Sequence, residues 1–196
     1  RKIGSEVFSW SDELLEVTIP VTVEEVGYGA FQLCSKLKSV NIYNDIISER
    51  QFYNCPELNS ELIIPDQVTS IGDYAFCQCT NVSNLVIGKG VKHIGKSAFS
   101  SCSLRSVYIP DNVEIVGDGA FKDCTKLQTV TLGESVRSLG FDCFANSGIK
   151  SLHLGQEVYS IFGAFRECKS LEKITVDPGN TALKTDGKAL YFNTNF

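Results

Sequence analysis

Apolar positions recur along this chain in a fixed order rather than in a simple helical or strand period. Phe marks the recurrence: Phe8, Phe31, Phe52, Phe76, Phe99, Phe121, Phe144 and Phe165 are spaced by 23, 21, 24, 23, 22, 23 and 21 residues. Ala commonly precedes the Phe (Ala30, Ala75, Ala98, Ala120, Ala164), and Cys follows three positions later (Cys34, Cys55, Cys79, Cys102, Cys124, Cys168). An apolar residue and Gly stand five and four positions before it, as in Val26-Gly27, Ile71-Gly72, Ile94-Gly95, Val116-Gly117 and Leu139-Gly140. An apolar triplet follows the Cys, for example Val82/Leu85/Ile87 and Leu127/Val130/Leu132. So many slots in one order define an internal repeat, and a repeat of this length stacks its copies around a shared core.

Each slot predicts a local structure. The segment Leu-x-x-Val-x-Ile ends in period-2 alternation and is rich in β-branched residues, which predicts a short strand. Pro20, Pro65 and Pro110, or Gly88, Gly133 and Gly155, close it. Val-x-x-Ile-Gly predicts a second, shorter extended segment that bends at Gly. Ala-Phe-x-x-Cys is too short for a free helix and predicts a single helical or 3₁₀ turn, with Phe filling the wide part of the core. The third copy departs from the pattern: Asn44-Asp45-Ile46-Ile47-Ser48-Glu49-Arg50-Gln51 lacks the Gly and has Gln51 for Ala, and a residue is gained before Leu62. A bulge or lengthened turn is expected at residues 44–62. The seventh copy carries Cys143 for Ala and Ser147 for Cys, and the eighth is one residue short.

The slot order Ile-Gly-x-x-Ala-Phe-x-x-Cys-x-x-Leu-x-x-Val-x-Ile-Pro resembles the BspA-like class of leucine-rich repeats over about residues 3–177. The resemblance implies an α/β horseshoe-type solenoid. It would be a right-handed superhelix of about eight repeats of 21–24 residues, with a concave parallel sheet, short second strands and single helical turns. It also implies a cell-surface or secreted protein that binds macromolecules. Two regions are expected: the solenoid over residues 1–177, its first copy truncated, and residues 178–196 as a capping hairpin or the start of a continuation. Asp186-Gly187 between two apolar stretches, the second ending Ala189-Leu190-Tyr191-Phe192, predicts the hairpin. The opening Arg1-Lys2-Ile3-Gly4, without Met, reads as a fragment or processed product.

Composition narrows the function classes. Lys+Arg is 18 and Asp+Glu 23, a formal net charge of −5, and residues 1–62 hold 10 acids against 5 bases. This balance argues against a partner bound through its phosphates, so no nucleic acid is expected. No apolar run reaches the ~18 residues of a membrane helix. Of the 8 Cys, six share one slot and read as a buried ladder of free thiols rather than disulfides or a metal site. Cys77 lies one position after Phe76 and is expected to be exposed and the most reactive thiol. Asn81-Val82-Ser83 is an N-glycosylation sequon, or an ordinary turn Asn. Gly27-Tyr28-Gly29 and Gly117-Asp118-Gly119 open a dinucleotide fingerprint without its third Gly, and catalytic motifs are missing, so neither an enzyme nor a cofactor is expected.

Side chains between the core slots of the strand segment point outward in two columns. Asn84, Val86, Ser106, Tyr108, Thr129, Thr131, Ser151 and His153 are the candidate ligand-binding residues, because few charges interrupt them there. Thr and Ser are equally explained as good strand residues. The expected partner is a protein or glycoprotein, host-derived in the family's setting. The alternative is a structural spacer or self-associating module, either monomeric or weakly self-associating, whose exposed first copy (Ile3, Val7, Phe8) meets another end.

Overall fold

The backbone winds through successive coils, one per repeat, in a computed structural model that describes residues 1–186 and 190–192. One face is built from the longer strands Glu16–Ile19, Ser39–Ile42, Glu61–Ile64, Asn84–Ile87, Ser106–Tyr108, Thr129–Thr131, Ser151–Leu154 and Lys173–Val176. The second face carries two-residue strands, from Lys2–Ile3 and Glu25–Val26 through Ile46–Ile47, Ser70–Ile71, His93–Ile94 and Ile115–Val116 to Ser138–Leu139. All pairings within both faces are parallel and join equivalent slots of neighbouring coils, such as Val107 with Val130 and Ile71 with Ile94. Longer strands alternate exposed and buried residues, as the period-2 pattern requires.

The predicted helical turns do not form. The stretch from Gly to Cys is a chain of tight turns, and its backbone explains why. The residues two before and two after each Phe take positive φ: Tyr74 at 57° and Gln78 at 63°, Ser97 at 50° and Ser101 at 61°. A left-handed residue every fourth position breaks any helix. The N–H groups divide accordingly. Ala75, Cys77 and Cys79 donate three residues back within their own turn, while Tyr74, Phe76 and Gln78 donate to Lys96, Ala98 and Ser100 of the next coil. Every second donor is therefore assigned to a neighbour, which ties adjacent coils together without a sheet.

This close approach explains the Gly slot. A Cβ on Gly95 would lie 2.6 Å from the backbone N of Asp73, and one on Gly140 2.4 Å from that of Asp118. The third coil has Ser48 in this slot, and the short-strand sheet is interrupted there, between Glu25–Val26 and Ile46–Ile47. The Ser48 hydroxyl instead donates to the Val26 carbonyl. Gln51, replacing Ala, accepts the Ser48 N–H on its side-chain oxygen at 2.8 Å. The longer strands also part at this coil, between Ser39–Ile42 and Glu61–Ile64, beside the extra residue in the Leu58-to-Leu62 spacing. The irregularity expected at residues 44–62 is thus a split in both faces. A second interruption, between Asn84–Ile87 and Ser106–Tyr108, accompanies the shortened Cys102-to-Leu104 spacing.

The core is one continuous column. The eight marker Phe rings stack face to face at centroid distances of 5.3 to 6.1 Å, with planes within 16° of one another. After the last coil, Leu183–Thr185 pairs antiparallel with Leu190–Phe192, while Gly187 and Ala189 of the predicted hairpin lie outside the described residues. Buried Asn180 fixes this segment. Its amide donates to Gly155 and Val158 carbonyls at 2.8 Å, and its oxygen accepts Ala182 and Leu183 N–H. Phe99 sits mid-stack and fully buried between Phe76 and Phe121. Phe99→Ala is expected to cost about 3–5 kcal/mol, the usual penalty for a buried Phe truncation. Urea denaturation followed by circular dichroism measures it; a loss below ~1 kcal/mol would contradict the stacked core.

Candidate functional site

The eight residues singled out on the long strands all stand exposed on one face. Pairing of Ser106 with Thr129, Tyr108 with Thr131 and Thr129 with Ser151 aligns them in two columns. Asn84 and Val86 lie beside them on Asn84–Ile87, which packs next to Ser106–Tyr108 although the ladder is interrupted. Polar members are held by their neighbours. His153 Nδ1 is 2.9 Å from Thr175 Oγ1, Asn84 donates to Glu61 at 3.2 Å, and the Tyr108 hydroxyl donates to Asp111 at 3.2 Å. The Asp111 carboxylate holds the Tyr108 phenol above its ordinary pKa.

The structure adds a feature that the columns alone did not mark. Ile63, Val86 and Tyr108 follow one another in consecutive coils and are 56%, 46% and 52% exposed, forming an apolar stripe across the face. At its N-terminal end the split between Ser39–Ile42 and Glu61–Ile64 opens a cavity of about 310 Å³. Val40, Leu58, Leu62 and Ile63 line it together with Ser39, Asn41, Glu61 and Tyr43. Two hydrogen bonds bridge the split, from Asn59 N–H to the Lys38 carbonyl at 2.8 Å and from the Gln67 amide to the Ile42 carbonyl at 3.2 Å. The pocket is therefore an open slot bridged by two hydrogen bonds, sized for a side chain rather than an added strand. The extra residue before Leu62 was its signal in the sequence.

The cysteines form the expected ladder of free thiols, with one correction and one addition. Cys77 is buried, at 7% exposure, because Gln32, Cys77 and Ser100 occupy a slot that the neighbouring coils cover. Burial pushes its thiol above the ordinary range, so it is not the reactive surface group expected. The addition concerns the ladder itself. Each thiol donates to the carbonyl of the marker Phe in the preceding coil, as Cys79 does to Phe52 at 3.2 Å and Cys124 to Phe99 at 3.2 Å. In four of the six rungs that carbonyl also accepts an N–H within its own turn, as Phe99 does from Cys102, so the slot favours a small, weak donor. Burial pushes Cys79 and Cys124 up to about 12.

Carboxylates on the turns serve the backbone. Asp73 accepts Lys96 N–H and Asp118 accepts Phe141 N–H, both at 2.7 Å. Asp142 joins three coils: Arg166 bonds both its oxygens, at 2.9 and 2.7 Å, and Lys122 reaches it at 3.0 Å. Burial alone would raise its pKa, but the bonds from Arg166 and Lys122 outweigh burial and hold it low. The sequon residue Asn81 donates its side-chain amide to the Leu58 carbonyl at 3.1 Å. Among the described residues no three His, Cys, Asp or Glu side chains converge on a metal site, and no helix is long and apolar enough to cross a membrane.

Parallel coils carrying a Leu/Val/Ile strand define a leucine-rich repeat solenoid. The chain belongs to the BspA type leucine rich repeat family, whose pattern matches in six copies over residues 1–118, 45–172 and 92–195. Repeats of this family are generally non-catalytic scaffolds. No curated protein matches the sequence. A leucine-rich repeat protein from Bacteroides ovatus is similar in structure, at 25% identity and TM-score 0.67, covering 89% of this chain and 58% of that one. A T. pallidum leucine-rich repeat protein shows 27% identity and TM-score 0.66, covering 74% and 69%. The pneumococcal vaccine antigen PcpA shares the fold at 20% identity and TM-score 0.64, covering 97% and 47%. The chain thus spans 58% of the Bacteroides ovatus protein's length.

Two outcomes follow from this geometry. In native protein at pH 8, Ellman's reagent is expected to reach half-buried Cys168 first, with the other seven thiols reacting only in denaturant; fast labelling of Cys77 would contradict its burial. For Asp142, the folded-state pKa lies below that of the unfolded chain. Its stabilisation is complete above the unfolded value of about 3.9 and fades as pH falls through the folded value. The melting-temperature deficit of Asp142→Asn should therefore be full at pH 7 and shrink below pH ~4; a deficit independent of pH would contradict it.

Proposed function

We propose that this chain is a non-enzymatic recognition module of a cell-surface or secreted protein, with the long-strand face as its binding surface for a macromolecular partner. The observation that carries the reading is the exposed stripe Ile63–Val86–Tyr108 beside the slot at Val40 and Leu62. An apolar centre rimmed by hydrogen-bonded polar side chains is the usual layout of a protein-binding surface. Eight strands at ~4.8 Å make a face of about 35 Å, comparable with a standard interface of ~800 Å² per partner. Tyr108 and His153 are the adaptable contacts, each already oriented by a neighbour.

A second reading, a self-associating module, is favoured by the exposed apolar residues Val7, Phe8 and Trp10. Light scattering separates the two: concentration-dependent oligomers that survive substitution of the stripe support association. For the leading reading, a partner captured from host extracellular material is identified by cross-linking from a photoreactive residue at position 86. Tyr108→Ala with His153→Ala is expected to weaken that partner by roughly 1–2 kcal/mol. Unchanged affinity would reject the long-strand face.

A further inference from the structure

The turn face of the third coil carries a cation among three tyrosine rings; the other ring-packed guanidinium among the described residues, Arg166 over Phe141, is bonded to Asp142. Arg50 Cζ lies 4.9 Å from the ring centroid of Tyr53, 5.1 Å from that of Tyr74 and 5.9 Å from that of Tyr28. These rings come from three successive coils, so the guanidinium is enclosed along the solenoid axis. Lys96 extends the cluster into a fourth coil, its Nζ 6.0 Å from the Tyr74 ring. Lys36, Lys89, Lys122, Arg137 and Arg166 each pair with a carboxylate. Arg50 does not, among the described residues, and its Nε is buried without any hydrogen-bond partner. The nearby Asp73 carboxylate is engaged by the Lys96 backbone N–H. Among the described residues no side-chain hydrogen bond engages the hydroxyls of Tyr28, Tyr53 and Tyr74, whereas the Tyr108 hydroxyl donates to Asp111.

The cluster therefore gathers donors and positive charge, and no carboxylate among the described residues forms an ion pair with Arg50 or Lys96. A guanidinium presents a planar fork of N–H groups that matches a carboxylate or sulfate, and ring packing holds that fork before a ligand arrives. Aromatic rings beside it offer an apolar platform of the kind that a sugar ring covers. We propose that Arg50 with Tyr28, Tyr53 and Tyr74 forms a binding site for an acidic saccharide, the acid group on the Arg50 fork and the sugar against the tyrosines. This site is separate from the long-strand face in both position and ligand class.

Calorimetric titration tests it with four probes: a chondroitin sulfate tetrasaccharide, a hyaluronan tetrasaccharide carrying carboxylates alone, neutral cellotetraose, and inorganic sulfate. Both acidic sugars are expected to bind, more weakly as salt rises, and at least about tenfold more tightly than cellotetraose or sulfate. Binding of chondroitin sulfate alone assigns the acid group as sulfate, and equal binding of both assigns it as the carboxylate they share. Arg50→Gln is expected to lower the affinity about tenfold or more, and Arg50→Lys to recover only part of it. Because Arg50 is packed, its variants are compared at unchanged melting temperature. Tyr28→Phe with Tyr53→Phe keeps the rings and is expected to cost about threefold through lost hydroxyl donors. Tyr108→Ala should leave saccharide binding unchanged, so this site and the long-strand reading fail separately. Acidic sugars that bind no better than cellotetraose, or as well to folded Arg50→Gln, would overturn the proposal. Sulfate binding as tightly as the tetrasaccharides would overturn the saccharide assignment.

Discussion

The division of backbone N–H groups along each turn is the constraint on which the architecture rests. Half of the donors close the turn and half reach the next coil, so neighbouring turns must lie at hydrogen-bond spacing. Three consequences follow without further assumptions. Phe rings at equivalent positions must stack, which they do at 5.3 to 6.1 Å. The residue facing the preceding backbone must lack a Cβ, which fixes the Gly slot. The Phe carbonyl comes within reach of the Cys thiol of the next coil, which donates to it, at Phe76 and Phe99 beside an in-turn N–H. Stability is then a sum of similar coil-to-coil terms, as expected for a one-dimensional stack.

The third coil is where these terms are broken together. Ser48 stands in the Gly slot, Gln51 in the Ala slot, and a residue is added before Leu62. Both faces part there. The buried polar atoms without partners among the described residues, Asn44 Oδ1, Arg50 Nε and Gln51 Nε2, also fall within residues 44–51. A local rule broken at several levels at once commonly marks a functional or strained place. Here the broken coil exposes the slot beside Val40 on one face and the Arg50 cluster on another.

What could be read from the sequence was whatever recurs. The Phe, Cys and Gly slots, the alternating strand residues and the split third coil are all visible as agreement or disagreement with one template. The turn conformation was not, because the left-handed positions hold residues as varied as Tyr74, Gln78, Ser97, Ser101 and Asp123, with no single residue type to mark them. Cys77 was misplaced for a related reason: its slot also holds Gln32, Ser100 and Lys122, and polar neighbours in the alignment suggested exposure where coil packing gives burial. The Arg50 cluster was hidden because its members occupy different slots. Tyr28 stands three before its Phe, Arg50 and Tyr74 two before theirs, and Tyr53 one after. Only coil stacking brings those positions into one place.

The same stacking separates stability from recognition. Inward residues of each strand satisfy the core, and the outward residues are left out of it, some bonding to the next coil as Asn84 and His153 do. Ile63, Val86 and Tyr108 can therefore remain exposed, whereas Asp73, Asp118 and Asp142 are held by backbone N–H groups or cations. Catalysis by carboxylates needs a group whose proton affinity is shifted inside a water-poor cleft. Asp73, Asp118 and Asp142 on the turns are already bound to donors. An architecture that uses its acids as braces and leaves its aromatic and apolar side chains outward is suited to binding along its length.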